Sequence, residues 1–313
     1  MKAARVHGFG QPPVIEALAE PEPRAGRTLV RMEAATVGHI DRTVWGGRFL
    51  QHPPFPYTPG VEAAGVVVAG DRHAVGQRVW VRGSGLGTLF DGTWCELIDA
   101  PDESIGLLPD AVPATLGSAF FSPCTSAWVA LHEVARLRAG ERVLVSGASG
   151  AVGSLAVQLA LDAGAHVTAL VSSAAKLQLP AAAELRVLGD DPCAALAGVA
   201  ADLLVDTVGG AVLAAALPCV QAGGRAVLVG YTAGHALSLD LAHFLQRDVA
   251  LLPLNMFRRE AAGRAAAPEL LARLADGRLH LAVESFGLGD AASALAWIAQ
   301  RGHRGRAVLV PAR

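Results

Sequence analysis

The rhythm of apolar residues along this chain changes near residue 118. Before it, short apolar runs at Leu29–Arg31, Ala64–Val68, Arg78–Val81 and Cys95–Ile98 are separated by glycine- and proline-rich stretches. That punctuation predicts short antiparallel strands in a small barrel-like domain. From Pro123 the pattern comes in blocks. A helical stretch Ser126–Ala135 leads into an apolar strand Arg142–Val145, a glycine turn, and a helix over Ser154–Asp162. Further apolar strands are predicted at His166–Val171, Leu203–Val205, Ala226–Val229 and Val249–Leu252, with Ala/Leu-rich helical stretches between them. Runs of Val, Leu and Ala without polar alternation mark strands covered on both faces. Strands that alternate with helices form a parallel sheet. After Leu254 come a helix over Pro268–Ala275, an apolar run Leu279–Val283, a helix over Asp290–Ala299 and a last run Arg306–Val310. No internal repeat or low-complexity linker interrupts this α/β order.

Composition sharpens the picture. The 313 residues are 52% hydrophobic and only 17% charged. At about 150 residues per domain, that length predicts two domains with a sizeable core. A mean hydropathy of +0.39 raises the question of a membrane span. Val143–Leu161 and Thr207–Gly224 carry no charge, yet glycines interrupt both and Pro218 the second. With aromatics at 5% there is no interfacial belt of Trp and Tyr. The windows read instead as strand–turn–helix and as strand end, helix and loop.

Net charge is -2, so there is no basic footprint for nucleic acid or an anionic membrane surface. Cys95, Cys124, Cys193 and Cys219 are scattered without a CxxC, which argues against zinc fingers and a disulfide framework. The first residues hold no continuous apolar core of a secretory signal, so the expected compartment is the cytoplasm.

The strongest chemical signal is Val143-Leu-Val-Ser-Gly147-Ala-Ser-Gly150-Ala-Val-Gly153 followed by an apolar helix. A buried strand feeding a glycine turn at a helix start aims backbone N–H groups and the positive helix end at a pyrophosphate. The spacing is GxxGxxG and not GxGxxG, so the weight rests on the strand before it and the helix after it. NAD-preferring folds place an acid at the end of the next strand. Here stand Val171-Ser172-Ser173-Ala174-Ala175-Lys176, two hydroxyls and a cation suited to the extra phosphate of NADP. Lys176 also reads as a solvated helix residue.

Further motifs run the length of the chain: Met1-Lys-Ala-Ala, Pro59-Gly-Val-Glu-Ala-Ala-Gly65, Gly92-Thr-Trp-Cys-Glu96 and Ser126-Ala-Trp128. Ala156-Val-Gln-Leu-Ala160, Asp202-Leu-Leu-Val-Asp206-Thr-Val-Gly-Gly210 and Gly223-Gly-Arg-Ala-Val-Leu-Val-Gly230 follow. With these the chain resembles the medium-chain dehydrogenase/reductase superfamily, in its zinc-independent quinone oxidoreductase (zeta-crystallin-like) branch. The resemblance implies a GroES-like β-barrel substrate domain over residues 1–118 and a Rossmann doubly wound parallel sheet over 119–258. A C-terminal segment, 259–313, is expected to return to the substrate domain, with a cleft between the two domains. It implies cofactor contacts from Ser126, Gly147, Ser149, Gly150, Ala151, Val152, Gly153, Ser172, Lys176, Val208, Gly230, Tyr231 and Asn255.

Alcohol dehydrogenases similar to this chain hold zinc with thiolate and imidazole donors. At their Cys position stands Gly38, at their His position Val61, and a third ligand position falls near Ser122, with Cys124 close by. No catalytic metal is expected. Hydride transfer without a metal needs an acceptor that is already electrophilic, such as a quinone or an alkene conjugated to a carbonyl. The segment His39-Ile-Asp41-Arg42, with Trp45 and Phe49, matches the region that lines the substrate pocket in similar enzymes.

The expectation is an NADPH-dependent quinone or enone oxidoreductase with His39, Asp41 and Tyr231 as candidate catalytic residues. Each of these reads two ways: His39 as a loop hydrogen-bonder, Asp41 as an ion pair with Arg42 or another arginine, Tyr231 as a ring packed on its loop. Gly38 where quinone oxidoreductases commonly carry Asn, and Phe49 where they often carry Tyr, leave room for a more apolar enone. One rival is an enoyl reductase acting on carrier- or CoA-bound enones, with Arg42, Arg48 and Arg82 as surface cations for a phosphopantetheine arm. Another is a non-catalytic NADPH-binding sensor or structural protein. The partners expected are a small-molecule quinone or enone and a second copy of the chain, paired through the strand around Arg247–Pro253. Neither nucleic acid nor a membrane is expected. Tyr57, between Pro56 and Pro59, reads as a turn-packing residue.

Overall fold

The computed structural model describes residues 1–173, 180–189, 191–300 and 305–311. They form two compact units, Met1–Phe121 with Leu271–Arg313, and Ser122–Leu270.

In the first unit the strands are β1 (Lys2–Arg5), β2 (Val14–Ala17), β3 (Arg27–Val37), β4 (Glu62–Ala69), β5 (Arg78–Arg82), β6 (Leu97–Pro101) and β7 (Ile105–Leu107). Two more, β14 (Val283–Gly287) and β15 (Arg306–Val310), come from the end of the chain. β1 and β2 make a small antiparallel pair; the others form one sheet in the order β14-β15-β3-β4-β5-β7, with β6 also on β3. Its helices are α1 (His39–Trp45), α2 (Ala114–Ala119) and α9 (Ala291–Ala299). β15 runs antiparallel to β3, with Ala307 opposite Val37, so the C-terminal strand is built into the N-terminal sheet. The core beneath gathers Val30, Met32, Val67, Val81, Trp94 and Leu295. The Trp94 ring is fully buried, and its Nε1 donates to the Thr36 carbonyl at 2.9 Å, so no polar atom of the ring is left unpaired.

The strands of the second unit are β8 (Arg142–Ser146), β9 (His166–Val171), β10 (Glu184–Val187), β11 (Ala201–Asp206), β12 (Val220–Leu228) and β13 (Ala250–Pro253). All pair in parallel, in the order β10-β9-β8-β11-β12-β13. The helices that alternate with them include α4 (Ala151–Asp162), α5 (Pro192–Ala195), α6 (Gly210–Ala216) and α7 (Leu241–Arg247). Val143–Val145 and Leu203–Val205 are buried, as strands covered on both faces must be. From β8 the chain winds outward through β9 and β10, then returns to lay β11 on the other side of β8. The order therefore reverses between β8 and β11, and in open α/β sheets a ligand crevice forms beyond the strand ends at such a point.

The charge-free windows resolve as expected from their glycines. Residues 143–161 are β8, a turn and α4, and 207–224 run from the end of β11 through α6 into β12. No helix among the described residues is long and apolar enough to cross a membrane.

Several elements differ from their sequence pattern. α4 begins at Ala151, three residues before the predicted start, because Gly150 takes the extended cap position. The stretch read as Ser126–Ala135 is an α-helix over Phe121–Trp128 (α3) that widens into a π-helix over Val129–Val134. The helix predicted from Pro268 already starts at Glu260 (α8, Glu260–Ala275), with Pro268 inside it. An Arg264–Glu260 pair one turn apart, at 3.0 Å, supports that first part. Leu279 and Leu281 bury their side chains from a loop, and the strand begins only at Val283.

Candidate functional site

The glycine turn lies at the finishing end of β8, where the strand order reverses. Gly147 has φ +63°, a left-handed backbone that glycine adopts freely, and a Cβ there would sit 2.4 Å from Thr207 Oγ1. Gly153, in the first turn of α4, is excluded from change for a different reason. Its Cβ would lie 2.2 Å from the Gly147 carbonyl oxygen, a backbone atom. Gly150 caps α4 without any side-chain hydrogen bond, and no acid stands in the first turn. The first N–H groups of a helix lack intrahelical partners, so those of Ala151, Val152 and Gly153 are left for an anion. Ser149 is half-buried and Gly150 exposed, so the turn is open to a ligand.

A buried polar network holds this turn to the next strand. Ser146 Oγ donates to Asp206 Oδ1 at 2.5 Å, and Gly209 N–H donates to Asp206 Oδ2 at 2.8 Å. Thr207 donates back to the Ser146 carbonyl at 2.8 Å. Burial pushes the Asp206 carboxyl up from its ordinary range, while hydrogen bonds from Ser146 and the Gly209 and Val208 backbones pull it down. Gly230, after β12, approaches so closely that a Cβ would stand 2.2 Å from the Thr207 carbonyl oxygen. The loop after β12 thus lies backbone to backbone on the loop after β11, while the turn after β8 meets the Thr207 and Val208 side chains. Sequence reasoning selected Gly147, Val208 and Gly230 but missed Ser146, Asp206 and Thr207. The available signal was a Ser and an Asp-Thr pair closing two otherwise apolar strands.

The remaining cofactor candidates are placed as follows. Ser172 is exposed just after β9, while Lys176 lies outside the described residues. Ser126 is half-buried on α3. Asn255 Oδ1 accepts from the N–H groups of Phe257 at 3.0 Å and Arg258 at 3.4 Å, so its amide oxygen already caps a turn. Tyr231 follows Gly230 with 70% of its surface exposed. Its ring is therefore not packed away against its loop.

In the first unit, His39 opens helix α1 and is exposed; it stands in a helix, not in the loop expected. Asp41 is only 2% exposed. One oxygen accepts from the Gly38 N–H at 2.7 Å; the other, Oδ1, is buried without a hydrogen-bond partner. Burial raises its carboxyl to about 7, against the pull of the Gly38 N–H and the Arg306 guanidinium. No ion pair joins it to Arg42 among the described residues. The charged cluster near it is one the sequence did not announce: Arg306 pairs with Glu62, and Arg82 lies 3.6 Å from the same carboxylate. Arg82 is thereby a half-buried structural cation, stacked 5.4 Å over Phe121, and not the surface arginine expected. Tyr57 is fully buried, bridging to Val6, in keeping with a packing role.

Known proteins share this architecture. The zinc-binding dehydrogenase family matches residues 151–276, and the alcohol dehydrogenase GroES-like domain matches residues 24–110. The quinone oxidoreductase of Thermus thermophilus, solved alone and in complex with NADPH, aligns with a TM-score of 0.82 and 30% identity. The alignment covers 99% of this chain and 100% of that one. The chain belongs to the medium-chain dehydrogenase/reductase superfamily, quinone oxidoreductase branch.

As in that superfamily, its fold combines a GroES-like domain with a Rossmann domain. The quinone oxidoreductase of Sus scrofa is 35% identical over 170 residues, 53% of this chain and 51% of that protein. The chain thus spans about half the length of the quinone oxidoreductases it matches in sequence. A longer match, 31% over 278 residues, joins 80% of this chain to 12% of a phenolphthiocerol/phthiocerol polyketide synthase polypeptide of Mycobacterium tuberculosis.

At two of the three positions where alcohol dehydrogenases hold zinc, Gly38 and Val61 offer no donor side chain. Gly38 has no side chain, and the space its Cβ would enter is taken by the Arg306 guanidinium, 3.2 Å away. Val61 is a buried aliphatic group. Among the described residues, no group of three or more His, Cys, Asp or Glu side chains is placed to hold a metal. The glycine turn and the bare N-terminus of α4 could hold the pyrophosphate of a dinucleotide.

Proposed function

We propose that the protein is an NADPH-dependent, zinc-independent oxidoreductase that reduces a quinone or the C=C of an α,β-unsaturated carbonyl. The observation that carries this reading is the uncapped start of α4 at Gly150, behind a turn where a Cβ at Gly147 or Gly153 would collide with its neighbours. Gly147–Gly153 would hold the pyrophosphate through backbone N–H groups, with Val208 and Gly230 closing the cradle. Ser172 and Lys176 would take the 2′-phosphate. A bound nicotinamide supplies the hydride; the chain's task is to orient the ring, exclude water and steady charge on the acceptor oxygen.

On the second unit, the exposed Tyr231 hydroxyl is the group proposed to donate to that oxygen. On the first unit His39 is proposed as a contact group, and Asp41 as a positioning group that fixes the start of α1 through Gly38. The absence of donors at Gly38 and Val61 supports an acceptor that needs no Lewis acid.

A Lys176→Ala variant tests the cofactor assignment: KM for NADPH should rise while KM for NADH stays put. Equal effects on both cofactors would overturn the phosphate contact. A second reading, reduction of carrier- or CoA-bound enones, is favoured by the long match to a polyketide synthase. Faster turnover of an enoyl-CoA thioester than of any free quinone would select it. We also propose a homodimer formed along β13, which among the described residues stands at the sheet edge with its backbone unpaired on one side. Light scattering should return twice the 32.1 kDa chain mass.

A further inference from the structure

The second unit carries a cavity of about 520 Å³ that the cofactor reading does not use. Its walls include Glu133, Arg136, Arg225, Leu252, Pro253 and Arg259. Arg225 is committed to the fold. Its Nε donates to the Ala135 carbonyl at 2.6 Å, and its two terminal nitrogens grip Glu141 at 2.9 and 2.8 Å. Arg136 and Arg259 differ: neither has a carboxylate within 4.0 Å among the described residues. Two guanidinium groups without a carboxylate partner, the exposed Arg136 and the half-buried Arg259, therefore share the cavity with Glu133 and with Arg225, whose own charge is met by Glu141.

The backbone that delivers Arg136 is a helix end, where a π-helical last turn gives way to a left-handed residue. Arg136 has φ +51°, a left-handed conformation disfavoured for a non-glycine residue. Just before it the helix widens to a π-helix over Val129–Val134, with Ala135 N–H donating to the Ala130 carbonyl at 2.9 Å. Such insertions occur frequently at functional sites, and strained residues persist where the surroundings over-determine them. The cavity lies along the edge strand β13, three places across the sheet from β8 and its glycine turn, although Pro253 and Arg259 stand at the same end of the sheet as that turn.

We propose that this cavity is a second binding site, which takes a small molecule bearing a phosphate or carboxylate oxyanion held between Arg136 and Arg259. The planar guanidinium matches either group with paired hydrogen bonds, and the volume is that of a small-metabolite pocket.

The test is calorimetric titration of the protein saturated with NADPH, using pyrophosphate in one arm and citrate in the other, at low salt. Either anion should bind at one saturable site, and the tighter one identifies the chemistry. Arg136→Gly, which relieves the left-handed strain, should preserve or raise Tm. Combined with Arg259→Gln it should weaken anion binding at least tenfold, with NADPH affinity and the light-scattering mass unchanged. The proposal is overturned if neither anion gives saturable binding, or if the double variant binds as the parent does. It also fails if the anions bind only when NADPH is removed, since that places them on the glycine turn.

Discussion

At the scale of single residues, the three glycines of the turn are not equivalent. Gly153 faces a backbone oxygen at 2.2 Å from its would-be Cβ, whereas Gly150 has nothing nearer than 3.3 Å and an ordinary φ of -78°. Gly153→Val should therefore weaken NADPH binding by more than tenfold and lower Tm, while Gly150→Ala should change Tm little; nicotinamide fluorescence and thermal melts read both. Asp41 gives a prediction of a different kind. Its folded-state pKa, about 7, lies above the ordinary carboxyl value of 3.8, so the folded protein binds the extra proton. Its contribution is fully present below pH about 4 and is lost as pH rises through about 7. Asp41→Asn should flatten the fall in Tm over that window, and an unchanged slope would place the proton elsewhere. The glycines were legible because their constraint is local, a turn between a strand and a helix. The environment of Asp41 was not, because Arg306 reaches it from the last strand of the chain, and no local pattern joins the two.

Elements were legible where burial alone decides them. Val143–Val145 and Leu203–Val205 are apolar throughout and fully covered, so their sequence carries their structure. Truncating one, as in Leu144→Ala, should cost about 2–5 kcal/mol in denaturant unfolding. The apolar pattern understates β12, because Val220–Gly224 ahead of its core contains a polar residue and two glycines, yet the strand already pairs with Ala201 at Val220. The π-helix at Val129–Val134 has no signature at all in an amphipathic pattern, since it adds one residue per turn without changing which types are buried. It ends at the Ala135 carbonyl, which Arg225 clasps together with Glu141. Removing that clamp with Arg225→Ala should destabilise the second unit by about 1–3 kcal/mol, because a half-buried carboxylate and a carbonyl both lose their donor. A loss below a few tenths of a kcal/mol would mean that water replaces the guanidinium freely.

For the whole molecule, two units of different architecture explain the change of rhythm near residue 118. The first interleaves chain from both ends in one sheet, and the second is a continuous parallel sheet with its strand order reversed beside the glycine turn. The high hydropathy belongs to doubly covered strands and the Ala-rich helices around them. The fold and the glycine turn between β8 and α4 could be read from the sequence because both depend on local patterns. The acceptor could not, because His39 and Tyr231, the groups proposed to meet it, are single side chains whose neighbours the pattern does not fix. Metal-free, NADPH-dependent reduction of quinones or enones is tested most directly by NADPH oxidation across a panel of quinones, enones and enoyl-CoA thioesters in the presence of a chelator. Turnover of at least one quinone or enone is expected, faster with NADPH than with NADH and untouched by the chelator; tight NADPH binding with no oxidation across the panel would contradict it.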